Sequence, residues 1–165
     1  MTDRIDRLVE LARAIVEENP TFHAVRGAGA GDHATAAFLR ELRARARAAF
    51  VEDCSEQRIC GPTGYAVDFY FAPERTVVEI ALGLPNPGSE FEKDLLKAII
   101  AQDYHRVDRL VLVSRAGGEK KCRQPGRSAL IAWALAEHNL QVSVIDLGGV
   151  PRKRVSARNR RLATQ

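Results

Sequence analysis

Several residue patterns that define common protein classes are missing from this chain of 165 residues. Aromatic residues make up only 6% of it, so a platform for stacking single-stranded bases is not indicated. The three cysteines include no C-x-x-C pair and the four histidines are scattered, which argues against a zinc site and favours reduced thiols. No apolar run approaches the roughly 18 residues that cross a membrane, and the charged start does not resemble a signal peptide. We therefore expect a cytoplasmic protein with no membrane partner.

Length and composition are those of an ordinary globular domain, with 45% hydrophobic and 28% charged residues. We expect one domain over residues 1–150, with a helical N-terminal extension over about 1–30, and a basic tail over 151–165. Residues 1–114 carry 14 Lys/Arg and 18 Asp/Glu, a net charge of −4, whereas residues 115–165 carry 11 and 3, a net charge of +8. This asymmetry indicates an anionic partner, although a solvated basic surface without a ligand has the same pattern.

The spacing of apolar residues predicts an alternation of helices and strands. Ser89 and Glu92 have the S-x-x-E spacing of a capping box, which places a helix start at Ser89, and the glycine-rich segment 27–31 is expected to be a connector. The predicted elements, in chain order, are helices at about 3–17 and 33–50, strands at about 56–60, 65–72 and 76–82, a helix at about 89–102, a strand at 107–114, a loop at 115–127, a helix at about 128–138 and a strand at 142–147. This order predicts an α/β protein, a three-layer α/β sandwich around a central mixed β-sheet.

Two carboxylates, Asp68 and Glu79, flank a turn at Pro73 between the second and third strands. In a hairpin with a two-residue loop Ala72 faces Arg75, and counting outward from that pair places Asp68 opposite Glu79. A four-residue loop keeps this register, whereas a three- or five-residue loop would break it. Like charges directly opposite each other destabilise a sheet, so a cation is expected to offset the repulsion. The bulky apolar residues of both strands fall on the other face, so we expect the acids on the less crowded side. Acids that simply face solvent are the alternative.

The element order, with one acid in each arm of the hairpin, resembles the PD-(D/E)XK nuclease superfamily, the restriction-endonuclease-like fold, over about residues 33–147. The resemblance rests on Asp68 and on the run Glu79-Ile80-Ala81, followed by a helix and a buried strand. It implies that Asp68, Glu79 and the main-chain carbonyl of Ile80 hold a divalent metal, Mg²⁺ or Mn²⁺. In that family the metal polarises the phosphodiester and lowers the pKa of a bound water.

The family's Lys, two residues after the strand Glu, is replaced here by Ala81. That Lys usually positions or activates the attacking water, and some members supply it from the following helix instead. Lys93 and Lys97 are the candidates in this chain. A helical wheel puts Lys93 at the edge of the apolar arc and in the first turn, so we expect Lys93 to be the third catalytic residue beside Asp68 and Glu79.

Five basic residues follow the buried strand at 107–114. A helix that begins at Ser128 would add partial positive charge and free N–H groups, so we interpret the segment as a phosphate clamp. The residues expected to bind nucleic acid, with DNA favoured over RNA, are Arg115, Lys120, Lys121, Arg123 and Arg127.

Three functions remain open at this point. The leading one is a metal-dependent nucleic-acid phosphodiesterase, an endonuclease-like hydrolase, and a homodimer is compatible with it because duplex cleavage needs two active sites or two turnovers. The second is a catalytically inactive nuclease-fold protein that serves as a nucleic-acid-binding or interaction module, which the Ala at position 81 favours. The third is an α/β domain of an unrelated family whose hairpin acids face solvent.

Overall fold

The computed structural model describes residues 3–24, 30–87 and 89–148. Its elements are α1 Arg4–Glu18, α2 Ala30–Ala49, β1 Ser55–Gln57, β2 Val67–Phe71, β3 Thr76–Ile80, α3 Phe91–Gln102, β4 Arg109–Ser114, α4 Gly118–Cys122, α5 Pro125–His138 and β5 Gln141–Asp146. The tail expected over 151–165 lies outside the described residues, as do residues 27–29 of the expected connector, whose last two residues belong to α2. Within the described part of the chain, no helix is long and apolar enough to cross a lipid bilayer.

The five strands form one mixed sheet whose spatial order is the same as their order along the chain. β1, β2 and β3 pair antiparallel, whereas β3, β4 and β5 pair parallel. The connections explain this difference, because a tight turn joins β2 to β3 and helices connect each later pair of strands. The prediction of an α/β protein with a mixed sheet is therefore confirmed.

Helices pack on both faces of the sheet. α1 and α2 share a core with Phe69, Val78 and Val111 on one face. α3 and α5 share a second core with Val77 and Leu112 on the opposite face. Because both faces are covered, every residue of β3 is buried. A polar group on β3 therefore needs its partner from the protein or a ligand rather than from bulk water.

The hairpin between β2 and β3 is held by its turn and by α1. The Arg75 N–H donates to the Ala72 carbonyl at 3.1 Å, which closes a four-residue β-turn. The Arg4 guanidinium of α1 makes two bonds to the Glu74 carboxylate in that turn, at 2.7 Å and 2.5 Å. Such a bidentate pair has a fixed geometry, so α1 anchors the hairpin that carries both acids.

The structure corrects the sequence prediction at two helix starts. α3 begins at Phe91 with Glu90 at its N-cap and no side-chain cap bond, while Glu92 is exposed and the Ser89 hydroxyl accepts a bond from Arg127 instead. The capping box is therefore wrong. The segment 115–127 is also not a single loop, because α4 occupies Gly118–Cys122 and α5 begins at Pro125 rather than Ser128. Pro fits the first helical position because its missing N–H would have no intrahelical partner there.

Candidate active site

Asp68 and Glu79 lie side by side where β2 pairs with β3. Phe69 pairs with Val78 and Tyr70 with Val77, so the next pair outward is Asp68 and Glu79. The main-chain N–H of Asp68 donates to Glu79 Oε2 at 3.4 Å, and Asp68 Oδ2 accepts from the N–H of Ile80 at 2.9 Å. The predicted register is confirmed.

The expectation that the acids occupy a less crowded face is wrong for Glu79, whose side chain is only 2% exposed. Glu79 points toward α3, where Lys97 Nζ lies 2.8 Å from its Oε1. The same Nζ lies 3.0 Å from Asp94 Oδ1, so one lysine bridges two buried carboxylates. Although Glu79 Oε1 has no partner in hydrogen-bond geometry within the described residues, the short Nζ–Oε1 distance makes Lys97 its counter-ion.

Burial and neighbouring charge shift the acidity of this cluster. Burial raises the pKa of Glu79 well above its ordinary value, Asp68 and Asp94 raise it further, and Lys97 opposes them. Burial also raises the pKa of Asp94. Burial alone would lower the pKa of Lys97, but the attraction of Glu79 and Asp94 outweighs it, so that pKa is raised. The lysine is thus held in its charged form, whereas the ionised form of Glu79 is disfavoured.

Arg43 of α2 is the cationic partner of Asp68. Its Nη2 lies 3.1 Å from Asp68 Oδ1, and its Nη1 lies 2.7 Å from Glu56 Oε1. Asp68, Glu79 and Asp94 together carry three carboxylates, whereas Arg43 and Lys97 supply two positive charges. The cluster therefore has a surplus of negative charge, which favours binding of a further cation or a proton.

A cavity of about 540 Å³ opens beside this cluster, at the carboxyl ends of β3 and β4. In open α/β sheets, ligands bind in the crevice outside the carboxyl ends of the strands. The residues that line it include Asp68, Glu79, Ile80, Asp94, Lys97 and Arg115. The cavity thus combines carboxylate oxygens with two cationic side chains.

Within the described residues, no three His, Cys, Asp or Glu side chains are grouped so that they could hold a metal ion. The oxygen donors at the hairpin are the carboxylates of Asp68 and Glu79, and Ile80 lines the same cavity. Oxygen ligands of this type suit Mg²⁺ or Mn²⁺ better than Zn²⁺. The three cysteines, which would be softer ligands, are buried and are not paired in disulfides.

The structure does not bring Lys93 to the acids. Its Nζ lies 3.0 Å from Glu90 Oε1, and its side chain is about half exposed. Lys97, one turn further along α3, occupies the position expected for Lys93. Of these two lysines of α3, Lys97 is the one whose ammonium contacts a facing acid.

The five basic residues expected to form a phosphate clamp make different contacts and do not all line the cavity. Arg127 donates to the Leu84 carbonyl at 2.7 Å and to the Ser89 hydroxyl, so it fastens the loop after β3 to α5. Arg123 is exposed and pairs with Glu119 at 3.1 Å. Of the remaining three, Lys120 and Lys121 lie on the short helix α4, and only Arg115 lines the cavity.

Asp94 and Arg43 contact the predicted acids or their lysine although the sequence pattern did not indicate them, and Lys97 takes the place expected for Lys93. Asp94 and Lys97 have the i, i+3 spacing at which helical side chains meet, which was the available signal. The apolar arc of the helical wheel included Leu96, which is 49% exposed, and left out Ala98 and Ala101, which are fully buried. The buried arc of α3 instead includes both Asp94 and Lys97.

Comparison with known proteins adds no further information about this site. No protein-family model, no curated protein and no solved structure matches the chain.

Proposed function

We propose that this chain is a metal-dependent phosphodiesterase that acts on nucleic acid, with DNA favoured over RNA, and that its fold is restriction-endonuclease-like. The observation that carries the proposal is the facing pair Asp68 and Glu79 with the Lys97 ammonium 2.8 Å from Glu79 Oε1. These are the three side-chain types that the PD-(D/E)XK resemblance requires, with the lysine supplied by a helix instead of by position 81.

The donor set fits a hard divalent cation. Asp68 and Glu79 would hold Mg²⁺ or Mn²⁺ together with the main-chain carbonyl of Ile80, and water or substrate phosphate oxygens would complete the coordination, as is usual for Mg²⁺. The raised pKa of Glu79, caused first by burial and then by Asp68 and Asp94, means that a nearby positive charge would relieve an existing repulsion. When bound, the cation supplies a Lewis acid that stabilises negative charge on the phosphoryl group.

The protein's own residues position the reactants in this proposal. Lys97 Nζ lies between Glu79 Oε1, Asp94 Oδ1 and, at 3.4 Å, the Ala66 carbonyl, so its ammonium is already positioned beside the facing acids. It would exchange one of these three contacts for a hydrogen bond to the attacking water or to a phosphate oxygen. Arg43 holds the Asp68 carboxylate through Oδ1. Asp94 is a positioning residue, because it contacts Lys97 rather than the facing acids.

Cleavage assays with Mg²⁺ or Mn²⁺ test this function, using wild type, Asp68→Asn and the matched control Asp108→Asn. Asp108 is an exposed acid paired with Arg75 on the surface, so its substitution removes the same charge outside the site. We expect metal-dependent cleavage of duplex DNA by wild type and by the control. For Asp68→Asn we expect a loss larger than the about 10–100-fold typical of residues that only orient a metal ligand. Equal activity of both variants would contradict the proposal.

A second candidate function is a nucleic-acid-binding module without catalysis. The specific observation that favours it is that Asp68 and Glu79 already have the cationic partners Arg43 and Lys97, so the fold needs no added cation to hold them. Binding that weakens steeply with salt, with no cleavage by wild type in either metal, would support this second function and exclude the first.

A further inference from the structure

Arg115 is fixed at the edge of the cavity by contacts with the segment after α1. It directly follows β4, and its Nε donates to the Phe22 carbonyl at 3.2 Å. Its guanidinium carbon lies 4.8 Å from the centroid of the Phe22 ring. A guanidinium held by a hydrogen bond and by an aromatic ring is oriented before any ligand arrives.

One donor of this guanidinium is buried and unused. Arg115 Nη2 is inaccessible to solvent and has no hydrogen-bond partner within the described residues. Burial lowers the pKa of Arg115, but an arginine remains charged at neutral pH. A buried charged donor without a partner is costly, so a ligand that lets the guanidinium turn Nη2 toward an acceptor would remove that cost.

The other cation that lines the cavity already has anionic partners. Lys97 contacts Glu79 and Asp94, whereas Arg115 forms no ion pair with any described residue, although the cavity it lines also contains Asp68, Glu79 and Asp94. The carboxylates thus define a cation-binding side of the cavity, and Arg115 contributes an unused positive charge to the same space.

We infer that Arg115 binds a phosphate group in this cavity, with its guanidinium donating to a non-bridging phosphate oxygen. A planar guanidinium matches the oxygen geometry of phosphate, and charge-assisted bonds of this kind are about twice as strong as neutral ones. The inference deepens the proposed function and depends on it for the source of the phosphate, a nucleic-acid backbone. Free inorganic phosphate has the same chemistry and is distinguished by the test.

The test measures binding in EDTA, where no cleavage occurs, with a fluorescently labelled duplex oligonucleotide and separately with inorganic phosphate. Wild type is compared with Arg115→Gln, Arg115→Lys and the control Arg75→Gln, an exposed arginine paired with Asp108. We expect Arg115→Gln to weaken oligonucleotide binding about tenfold or more, because a hydrogen bond to a charged group is lost. Arg115→Lys is expected to recover part of that affinity, and Arg75→Gln to bind as wild type does.

A measurement on the wild-type chain covers the case in which the variants do not fold. Titration with the oligonucleotide, followed by the nuclear magnetic resonance signals of arginine guanidinium groups, should shift the Arg115 signals at saturation. Unshifted Arg115 signals, or wild-type affinity in Arg115→Gln, would overturn the inference. Saturation by inorganic phosphate alone, with no binding of the oligonucleotide, would also overturn it.

The two proposals fail in different experiments. Normal metal-dependent cleavage with an unchanged KM in Arg115→Gln would refute the phosphate site and leave the proposed activity in place. Binding that depends on Arg115, in a wild-type protein that cleaves nothing with Mg²⁺ or Mn²⁺, would refute the proposed activity and leave the phosphate site.

Discussion

At the scale of single residues, we expect Lys97 to contribute more to the free energy of unfolding than an exposed lysine does, because it neutralises two buried acids. Lys97→Ala leaves Glu79 and Asp94 buried without a cation. Removing one partner of a buried ion pair typically costs about 3–5 kcal/mol, and we expect a loss of this size in the free energy of unfolding near pH 8. Chemical denaturation measures it. Lys93→Ala is the matched control, since Lys93 is half exposed and its loss should change stability by no more than about 0.5 kcal/mol.

The stability that Lys97→Ala loses should be larger at high pH than at low pH. Burial raises the pKa of Glu79 above the value it has in the unfolded chain. The folded state therefore binds the proton more tightly, and its stability rises as pH falls from above the folded pKa toward the ordinary one. Lys97 opposes the rise in the pKa of Glu79, so in Lys97→Ala that pKa should rise further. The difference in the free energy of unfolding between variant and wild type should therefore shrink as the pH falls from about 8 to about 5.5. A difference in the free energy of unfolding that stays constant or grows as the pH falls would contradict the conclusion that Lys97 neutralises Glu79.

The rank of the two lysines could not be obtained from periodicity alone. A helical wheel assumes that apolar residues mark the buried side, but Leu96 is exposed on α3 while Asp94 and Lys97 are buried. Charged residues are buried there because Glu79 faces them from the sheet. That pairing is long-range, so it appears only once α3 is placed against β3.

At the scale of secondary-structure elements, the hairpin was predictable because its register depends on local information. The four-residue turn Ala72–Arg75 fixes which residues face each other, and alternation fixes which face each side chain takes. The segment 115–127 was not predictable in the same way. Its glycines and basic residues are typical of a loop, yet α4 forms there because Asp146 at the end of β5 accepts from the N–H groups of Gly117 and Glu119 at 2.9 Å and 3.1 Å.

The contact between α4 and the sheet leads to a prediction for Gly118. A Cβ at this position would lie 2.3 Å from the hydroxyl of Ser114, which is fully buried, and 2.9 Å from Asp146 Oδ1. Gly118→Ala must therefore displace α4 from the ends of β4 and β5, and we expect it to lower the free energy of unfolding by about 1–3 kcal/mol. Thermal or chemical denaturation measures the change.

Gly126→Ala is the control for this substitution. Gly126 lies in α5 and has open space where its Cβ would be, so the variant should be neutral or gain up to about 1 kcal/mol from helix propensity. Equal losses in both variants would show that steric contact with Ser114 is not the cause.

At the scale of the whole molecule, the element order was enough to predict a mixed sheet in an α/β protein. It was not enough to predict burial at the site. The acids were expected on a less crowded side because their strands carry bulky residues on the other face, but helices cover both faces and bury Glu79. Which face of a sheet a helix covers depends on packing between distant segments, so the crowding around Glu79 could be seen only in the assembled molecule.

Because Glu79 is buried, the stabilisation of the whole fold by a bound metal should depend on pH. If the acids bind Mg²⁺ or Mn²⁺, the cation stabilises the folded state by about 2.7 kcal/mol at a hundred times its dissociation constant. Binding requires Glu79 to be ionised, and because burial raises its pKa, protons compete with the cation at a higher pH than they would at an exposed glutamate. The rise in Tm caused by the metal should therefore be larger at about pH 8 than at about pH 6. It should be absent in Asp68→Asn and present in Asp108→Asn, whose acid lies on the surface. A metal-induced rise that is the same in both variants would place the cation elsewhere on the protein.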